Sequence, residues 1–220
     1  MKILGFDFDG VFINIEAEKA ILFGEVINKY WGINSEVSQK VWIKNLGTSR
    51  RYKFDCMYRK YHKKRLSNEQ YKEIESEFSE ILLKEYYPQA KLIPEAIETA
   101  SYIQSIFDLT FLSSGISFNE IQFLSSSFQL DAYFDLIFGT NHQYKSKEDH
   151  FTEIEGKNQK KIGIFIGDGL EDMRIAKKFD YFAIGLPVNH NPQDLINAGA
   201  DIICDYNKLL NAINKILSDK

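Results

Sequence analysis

Four short stretches of the chain carry side chains able to do chemistry. In the first, the apolar run 3–6 leads straight into Asp7-Phe8-Asp9 and then Gly10. An apolar run of this length ended by a glycine suits a buried parallel strand. Alternate residues of an extended chain share a face, which puts the two carboxylates on one side, about 7 Å apart at roughly 3.3 Å rise per residue. Gly10 then lets the backbone turn away. Neighbouring carboxylates repel, and a hard divalent cation is the natural compensation. Mg²⁺ commonly takes one or two carboxylates and completes its shell with water and phosphate oxygens. Taken alone the pair is a weak signal, since acidic residues end many strands.

Three later stretches follow apolar runs in the same way. Ser113, Ser114 and Gly115 follow the run 109–112; small hydroxyls and backbone amides at a strand end suit an anionic oxygen, although the same residues make an ordinary serine-capped turn. Lys145 and Lys147 follow the run 134–138, and a lysine at such a sheet edge offers phosphate a point cation. Gly167-Asp168-Gly169-Leu170-Glu171-Asp172 follows the run 162–166. Its two glycines permit a sharp turn that presents Asp168, with Asp172 one helical turn further on.

The elements that must position these groups are readable from periodicity. From residue 95 onward helical and apolar stretches alternate: helices over 95–107, 118–127, 147–155, 170–179 and 192–198 and a last one to 217, with strands over 109–112, 134–138, 162–166, 181–184 and 202–203. Such alternation argues an α/β fold, a doubly wound parallel sheet with right-handed crossovers, and the strand at 3–6 joins it. Residues 14–91 differ. They show helical spacing throughout: one helix ends near Trp31-Gly32, a second runs through residue 43 with Ser35 as its cap, a third spans 49–62, and a fourth runs from Ser67 to about residue 86. The expected organisation is a core of 1–13 and 92–220 interrupted by a helical insert of 14–91. The insert carries 15 Lys/Arg against 11 Asp/Glu, leaving 12 against 20 elsewhere.

Composition narrows the function. At 220 residues there is room for one sizeable core, and a net charge of −4 gives no reason to expect nucleic-acid binding. No apolar run approaches the roughly 18–20 residues of a membrane span. The N-terminus reads as a strand and not as a signal sequence. Cys56 and Cys204 are isolated, which suits free thiols in a reducing cytoplasm.

In this order, an Asp-x-Asp, a Ser-Ser-Gly, a lysine and a Gly-Asp-Gly-x-x-Asp, each after a successive strand, the chain resembles the haloacid dehalogenase-like superfamily of phosphohydrolases over nearly its full length. The resemblance implies that Asp7 is a nucleophile that becomes an aspartyl phosphate, and that Asp9 protonates the leaving oxygen and then activates water. Ser113 then matches the hydroxyl that holds the phosphoryl oxygens, with Ser114 adding its amide. Lys147 fits the lysine position better than Lys145, although the proline that often follows it is missing. Asp168 completes a Mg²⁺ site with Asp7 and the backbone carbonyl of Asp9, and Asp172, beside Gly169, is the second acid of that motif. An aspartate at position 9 speaks against the dehalogenase branch, which needs no acid there.

Residues 14–91 match the helical cap of this family, which closes over the phosphate site and selects the leaving group; Arg50 is the best single candidate there for substrate contact. The expected activity is a Mg²⁺-dependent phosphatase acting on a small phosphorylated metabolite of the phosphoglycolate or sugar-phosphate type. A phosphomutase of the β-phosphoglucomutase type would use the same residues. A receiver-like phosphoacceptor module is disfavoured by the spacing of the acids and by the insert, and a weakly active regulatory homologue is the remaining reading. Neither substrate identity nor oligomeric state is legible.

Overall fold

The computed structural model describes residues 1–157 and 161–218. After β1 (Lys2–Phe6) come four helices, α1 (Glu16–Trp31), α2 (Ser35–Lys44), α3 (Arg50–His62) and α4 (Asn68–Ile81), the last continuing through further helical turns to Gln89. The chain then alternates: α5 (Pro94–Ile103), β2 (Leu109–Ser117), α6 (Phe118–Ser127), β3 (Leu136–Thr140), α7 (Lys147–Lys157), β4 (Ile162–Gly167), α8 (Leu170–Lys178), β5 (Phe182–Gly185), α9 (Pro192–Ala198), β6 (Ile202–Ile203) and α10 (Leu209–Ser218). It divides into two compact units, Met1–Asn14 with Lys91–Lys220, and Ile15–Ala90. Among the described residues no helix is long and apolar enough to cross a membrane, and Cys56 and Cys204 carry free thiols.

The first unit is built on a six-stranded parallel sheet in the order β3-β2-β1-β4-β5-β6. β1 lies in its middle and is buried from Ile3 to Phe6, which is why it reads as a continuous apolar run rather than an alternating one. Ile3, Phe111 and Phe165 pack on one face with Phe151 and Ile154 of α7 and Met173 and Ala176 of α8. Phe6 turns the other way, against Phe12 at 5.4 Å and Phe134 at 5.7 Å between ring centroids. By this alternation Asp7, like Ile3, leaves the sheet on the α7 and α8 side. The winding direction reverses between β1 and β4, so a crevice opens at the C-terminal ends of those two strands. Asp7 and Asp168 are the residues directly beyond them.

Several details differ from the sequence expectation. β1 stops at Phe6, so Asp9 belongs to a turn and not to the strand: the Phe8 carbonyl accepts from Val11 and Phe12, and Gly10 donates to Ile13. β2 does not end at residue 112 but runs to Ser117, because Ser113 pairs with Phe138 and Ser117 with Thr140 across a register shift. The strand expected over 134–138 is correspondingly displaced to Leu136–Thr140.

The second unit has its own aromatic core. Phe23 lies 4.9 Å from Phe54 and 5.1 Å from Trp42, and Phe78 lies 5.4 Å from Trp42 and 5.7 Å from Phe54. Gly32 ends α1 in the left-handed conformation, Ser49 caps α3, and Ser67 with Gln70 forms a reciprocal capping box on α4. The cap of α2 is Asn34, not Ser35, whose hydroxyl instead donates to the Gly24 carbonyl. Phe23, wholly buried and in contact with three aromatic rings, is the keystone of this core. Phe23→Ala should cost about 3–5 kcal/mol by leaving a cavity, whereas Ser67→Ala should cost about 1 kcal/mol; urea unfolding curves of the two variants check both the order and the size.

Candidate active site

Three carboxylates converge at the mouth of the crevice. Asp7, Asp168 and Asp172 are all buried, and ligand oxygens of the three lie within 4.8 Å of one another. Asp7 and Asp168 are thus close enough to share one cation. Each is placed by its own strand end. The Asp7 amide donates to the Ile166 carbonyl at 2.8 Å, tying the end of β1 to β4. Gly10, at φ +73°, packs against the Asp168 carboxylate so tightly that a Cβ there would fall 2.2 Å from it. Gly167 is as close to Asp172: a Cβ would meet the Asp172 side chain at 2.7 Å. Gly10 serves both the turn and the close approach, whereas Gly167, at the end of β4, serves the close approach.

Lys147, at the start of α7, places its ammonium 2.7 Å from Asp7 Oδ1 and 2.6 Å from Asp172 Oδ1. Burial alone would lower its pKa, but the Asp172 and Asp7 carboxylates outweigh that and hold it above the usual lysine range. Asp172 is fully enclosed, and its second oxygen accepts from the Gly169 amide at the start of α8. Both of its oxygens are therefore engaged in holding Lys147 and closing the helix end.

Asp7 is different. Its Oδ1 accepts from the Phe8 amide at 2.7 Å as well as from Lys147. Burial, then the charge of Asp172, raises its pKa to about 7 against the opposing pull of Lys147. Three carboxylates and one ammonium leave negative charge in excess in a buried place. That donor set, all hard oxygens, fits a hard divalent cation that keeps part of its shell for water or a substrate oxygen.

The hydroxyls expected at the second strand lie beside this cluster in the sheet. Phe6 pairs with Leu112, so Ser113 is the neighbour of Asp7 on the next strand. Its Oγ is wholly buried and lies 2.8 Å from His150 Nδ1. The Ser114 hydroxyl accepts from the Ile116 amide at 3.3 Å. Asp9 sits half-buried in the turn, and its side chain is not among the three that converge. Arg50 belongs to the other unit. It is buried there, with its guanidinium 2.9 Å from Glu75 and 2.6 Å from the Ser79 hydroxyl and stacked over Phe78.

Three residues around the site escaped the sequence reading. Asn189 donates to Asp168 Oδ2 at 2.7 Å, His150 meets Ser113, and Tyr206 donates to the Gly10 carbonyl at 2.6 Å. His150 had a signal, since it follows Lys147 by three residues and so shares its helix face. Asn189 lies in the loop after β5, again at a C-terminal strand end, whereas nothing local marks Tyr206.

The family model of haloacid dehalogenase-like hydrolases matches residues 4–185. No curated protein matches the sequence. Among solved structures, a predicted phosphatase from Clostridium acetobutylicum is similar at TM-score 0.77 and 19% identity, covering 100% of this chain and 99% of the other. A predicted phosphoglycolate phosphatase from Haemophilus somnus is similar at TM-score 0.74 and 18% identity over 96% and 97%. A protein from Thermotoga maritima, provisionally assigned as a β-phosphoglucomutase, is similar at TM-score 0.67 and 18% identity over 98% and 100%. At such identities the structures speak for the fold, while the family model covers the Asp-x-Asp, the Ser-Ser-Gly, the lysine and the Gly-Asp-Gly-x-x-Asp together. The chain belongs to the haloacid dehalogenase-like hydrolase family.

Proposed function

We propose that the protein is a Mg²⁺-dependent phosphatase that hydrolyses a small phosphorylated metabolite through an aspartyl phosphate on Asp7. The observation that carries this is the convergence of Asp7, Asp168 and Asp172 around Lys147 at the sheet's switch point. Asp172 is taken up by Lys147 and Gly169, so Asp7 and Asp168, with the Asp9 backbone carbonyl, would hold the cation. When bound, Mg²⁺ supplies positive charge against the phosphoryl oxygens.

The chain's own residues then divide the work. An Asp7 carboxylate oxygen attacks phosphorus while the bond to the ester oxygen breaks, and Asp9 gives that oxygen its proton. Asp9, now a carboxylate, takes a proton from water as the water oxygen attacks the same phosphorus. The bond to Asp7 breaks and phosphate leaves, so one hard displacement becomes two easier ones. Lys147 steadies Asp7 and adds charge beside the phosphoryl group. Ser113 and Ser114 would hold its oxygens. The helical unit is the cap that chooses the alcohol, and its carboxylate-paired Arg50 keeps α3 and α4 together (Glu75 and Ser79 lie on α4) before it does anything for substrate. A phosphomutase would use the same machinery with a sugar hydroxyl in place of water, and release of free phosphate without an isomerised product separates the two. A phosphate-release screen over phosphorylated metabolites tests the reading as a whole.

Asp7→Asn should abolish Mg²⁺-dependent hydrolysis of p-nitrophenyl phosphate; surviving turnover would remove Asp7 from its role. Asp9→Asn should lower the rate by about 10²–10⁴-fold for alkyl phosphates and by less for p-nitrophenyl phosphate, whose leaving group needs little protonation. An equal loss for both substrates would count against Asp9 as the acid.

The raised pKa of Asp7 gives a further expectation. A carboxyl near 3.8 when unfolded and about 7 when folded binds more protons in the folded state between those values. This group's contribution to stability is therefore lost as pH rises from about 4 to about 7. Without metal, Asp7→Asn, which mimics the protonated acid, should melt above wild type at pH 8 and by a smaller margin at pH 5. Mg²⁺ should raise the wild-type melting temperature more at pH 8 than at pH 5, because it replaces the proton. Melting curves with EDTA and with MgCl₂ at the two pH values decide it.

A further inference from the structure

The phosphate-site reading of Ser113 leaves one neighbouring group without a role, the imidazole of His150. It is fully enclosed, stacked on Phe138 at 5.1 Å and 17° between ring planes, with the Tyr144 ring edge-on at 5.5 Å. Both nitrogens have partners: Nε2 lies 3.3 Å from the Gly139 carbonyl oxygen, and Nδ1 lies 2.8 Å from Ser113 Oγ. A carbonyl oxygen only accepts, so Nε2 carries the hydrogen. Burial, the largest influence on this ring, lowers its pKa to about 4 and keeps it neutral. Nδ1 then presents a lone pair, and the Ser113 hydroxyl must donate to it.

A serine hydroxyl has one hydrogen, and here it has two claimants. A phosphoryl oxygen arriving beside Asp7 wants the same hydrogen that His150 already holds. We propose that His150 is a positioning residue for the phosphate site: it fixes the Ser113 side chain and competes for its hydroxyl hydrogen, so that a bound phosphoryl group must displace that bond and a released phosphate gives it back. The device keeps product affinity down, and it acts wholly through Ser113. Its place on α7 follows from the same helix face that brings Lys147 to Asp7, three residues earlier.

The inference rests on the phosphatase reading, and its test separates the two. Inorganic phosphate binding in the presence of Mg²⁺ is measured by calorimetry for wild type, His150→Phe, Ser113→Ala and the double variant. Phenylalanine keeps the stacked ring and removes the competitor, so His150→Phe should bind phosphate several-fold more tightly. Ser113→Ala should bind more weakly, and the double variant should match Ser113→Ala alone, because the histidine has nothing left to act on. Unchanged or weaker binding by His150→Phe, or a His150→Phe effect that persists without the serine, overturns the proposal. If Ser113→Ala leaves phosphate affinity unchanged, or wild type binds no phosphate, the phosphate-site reading falls as well. Should His150→Phe fail to fold, the wild-type protein still decides: on saturation with phosphate the His150 Nδ1 nitrogen resonance should move downfield as its lone pair loses the serine hydrogen, and an unmoved resonance overturns the proposal.

Discussion

The ammonium of Lys147, held between Asp7 and Asp172 with almost no access to solvent, is the contact on which the site depends. Gathering three carboxylates in a buried crevice is costly, since each is stripped of water and repels the others. One lysine offsets part of that cost. It also spans the elements, linking the first strand, the start of α7 and the first turn of α8, so the charges that would drive these elements apart instead hold them together. Such an ion pair is poor evidence for stability, because an apolar replacement of matched shape can be as stable or more so. Under the proposed function, the ion pair would keep Asp7 oriented in a site that must also accept further anionic charge.

The glycines explain how the charges come so close. Asp168 can approach the β1 turn only because Gly10 has no side chain, and Asp172 can fold back over the end of β4 only because Gly167 has none. Tyr206 pins the turn from a distant part of the chain by donating to the Gly10 carbonyl, and Asn189 steadies Asp168. The surroundings of Asp7 and Asp168 are therefore held not by the Lys147 ion pairs alone but also by groups that carry no net charge of their own.

How much of this was legible depends on the range of the interaction. The apolar runs ending in acids identified β1 and β4 and the residues beyond them, because burial on both faces writes itself into contiguous sequence. Ser113 to Gly115 misled, since their local preference is for a turn, whereas pairing with β3 at Ser113 and again at Ser117 carries β2 through them. Asn34 and Ser35 are both good cap residues, and which one caps α2 was decided by the Gly24 carbonyl that takes the Ser35 hydroxyl. Arg50, the candidate for substrate contact in the insert, has its buried guanidinium engaged by Glu75, twenty-five positions further on. Partners at that separation, and at the thirty-seven positions between Ser113 and His150, leave no periodic trace.

The titration of Asp7 says where the remaining positive charge belongs. Even with Lys147 against it, this carboxyl keeps its proton to about pH 7, so at lower pH a proton on Asp7 itself offsets part of the cluster's negative charge. A second cation beside Asp7 would favour loss of that proton. Asp172 has its oxygens on Lys147 and Gly169; under the proposed function Asp168, buried near Asp7 and oriented by Asn189, would share the cation with Asp7. Under the proposed function, a metal that replaces the proton would leave Asp7 ionised and neutralise the crevice in one event, and the all-oxygen donor set suits a hard divalent ion.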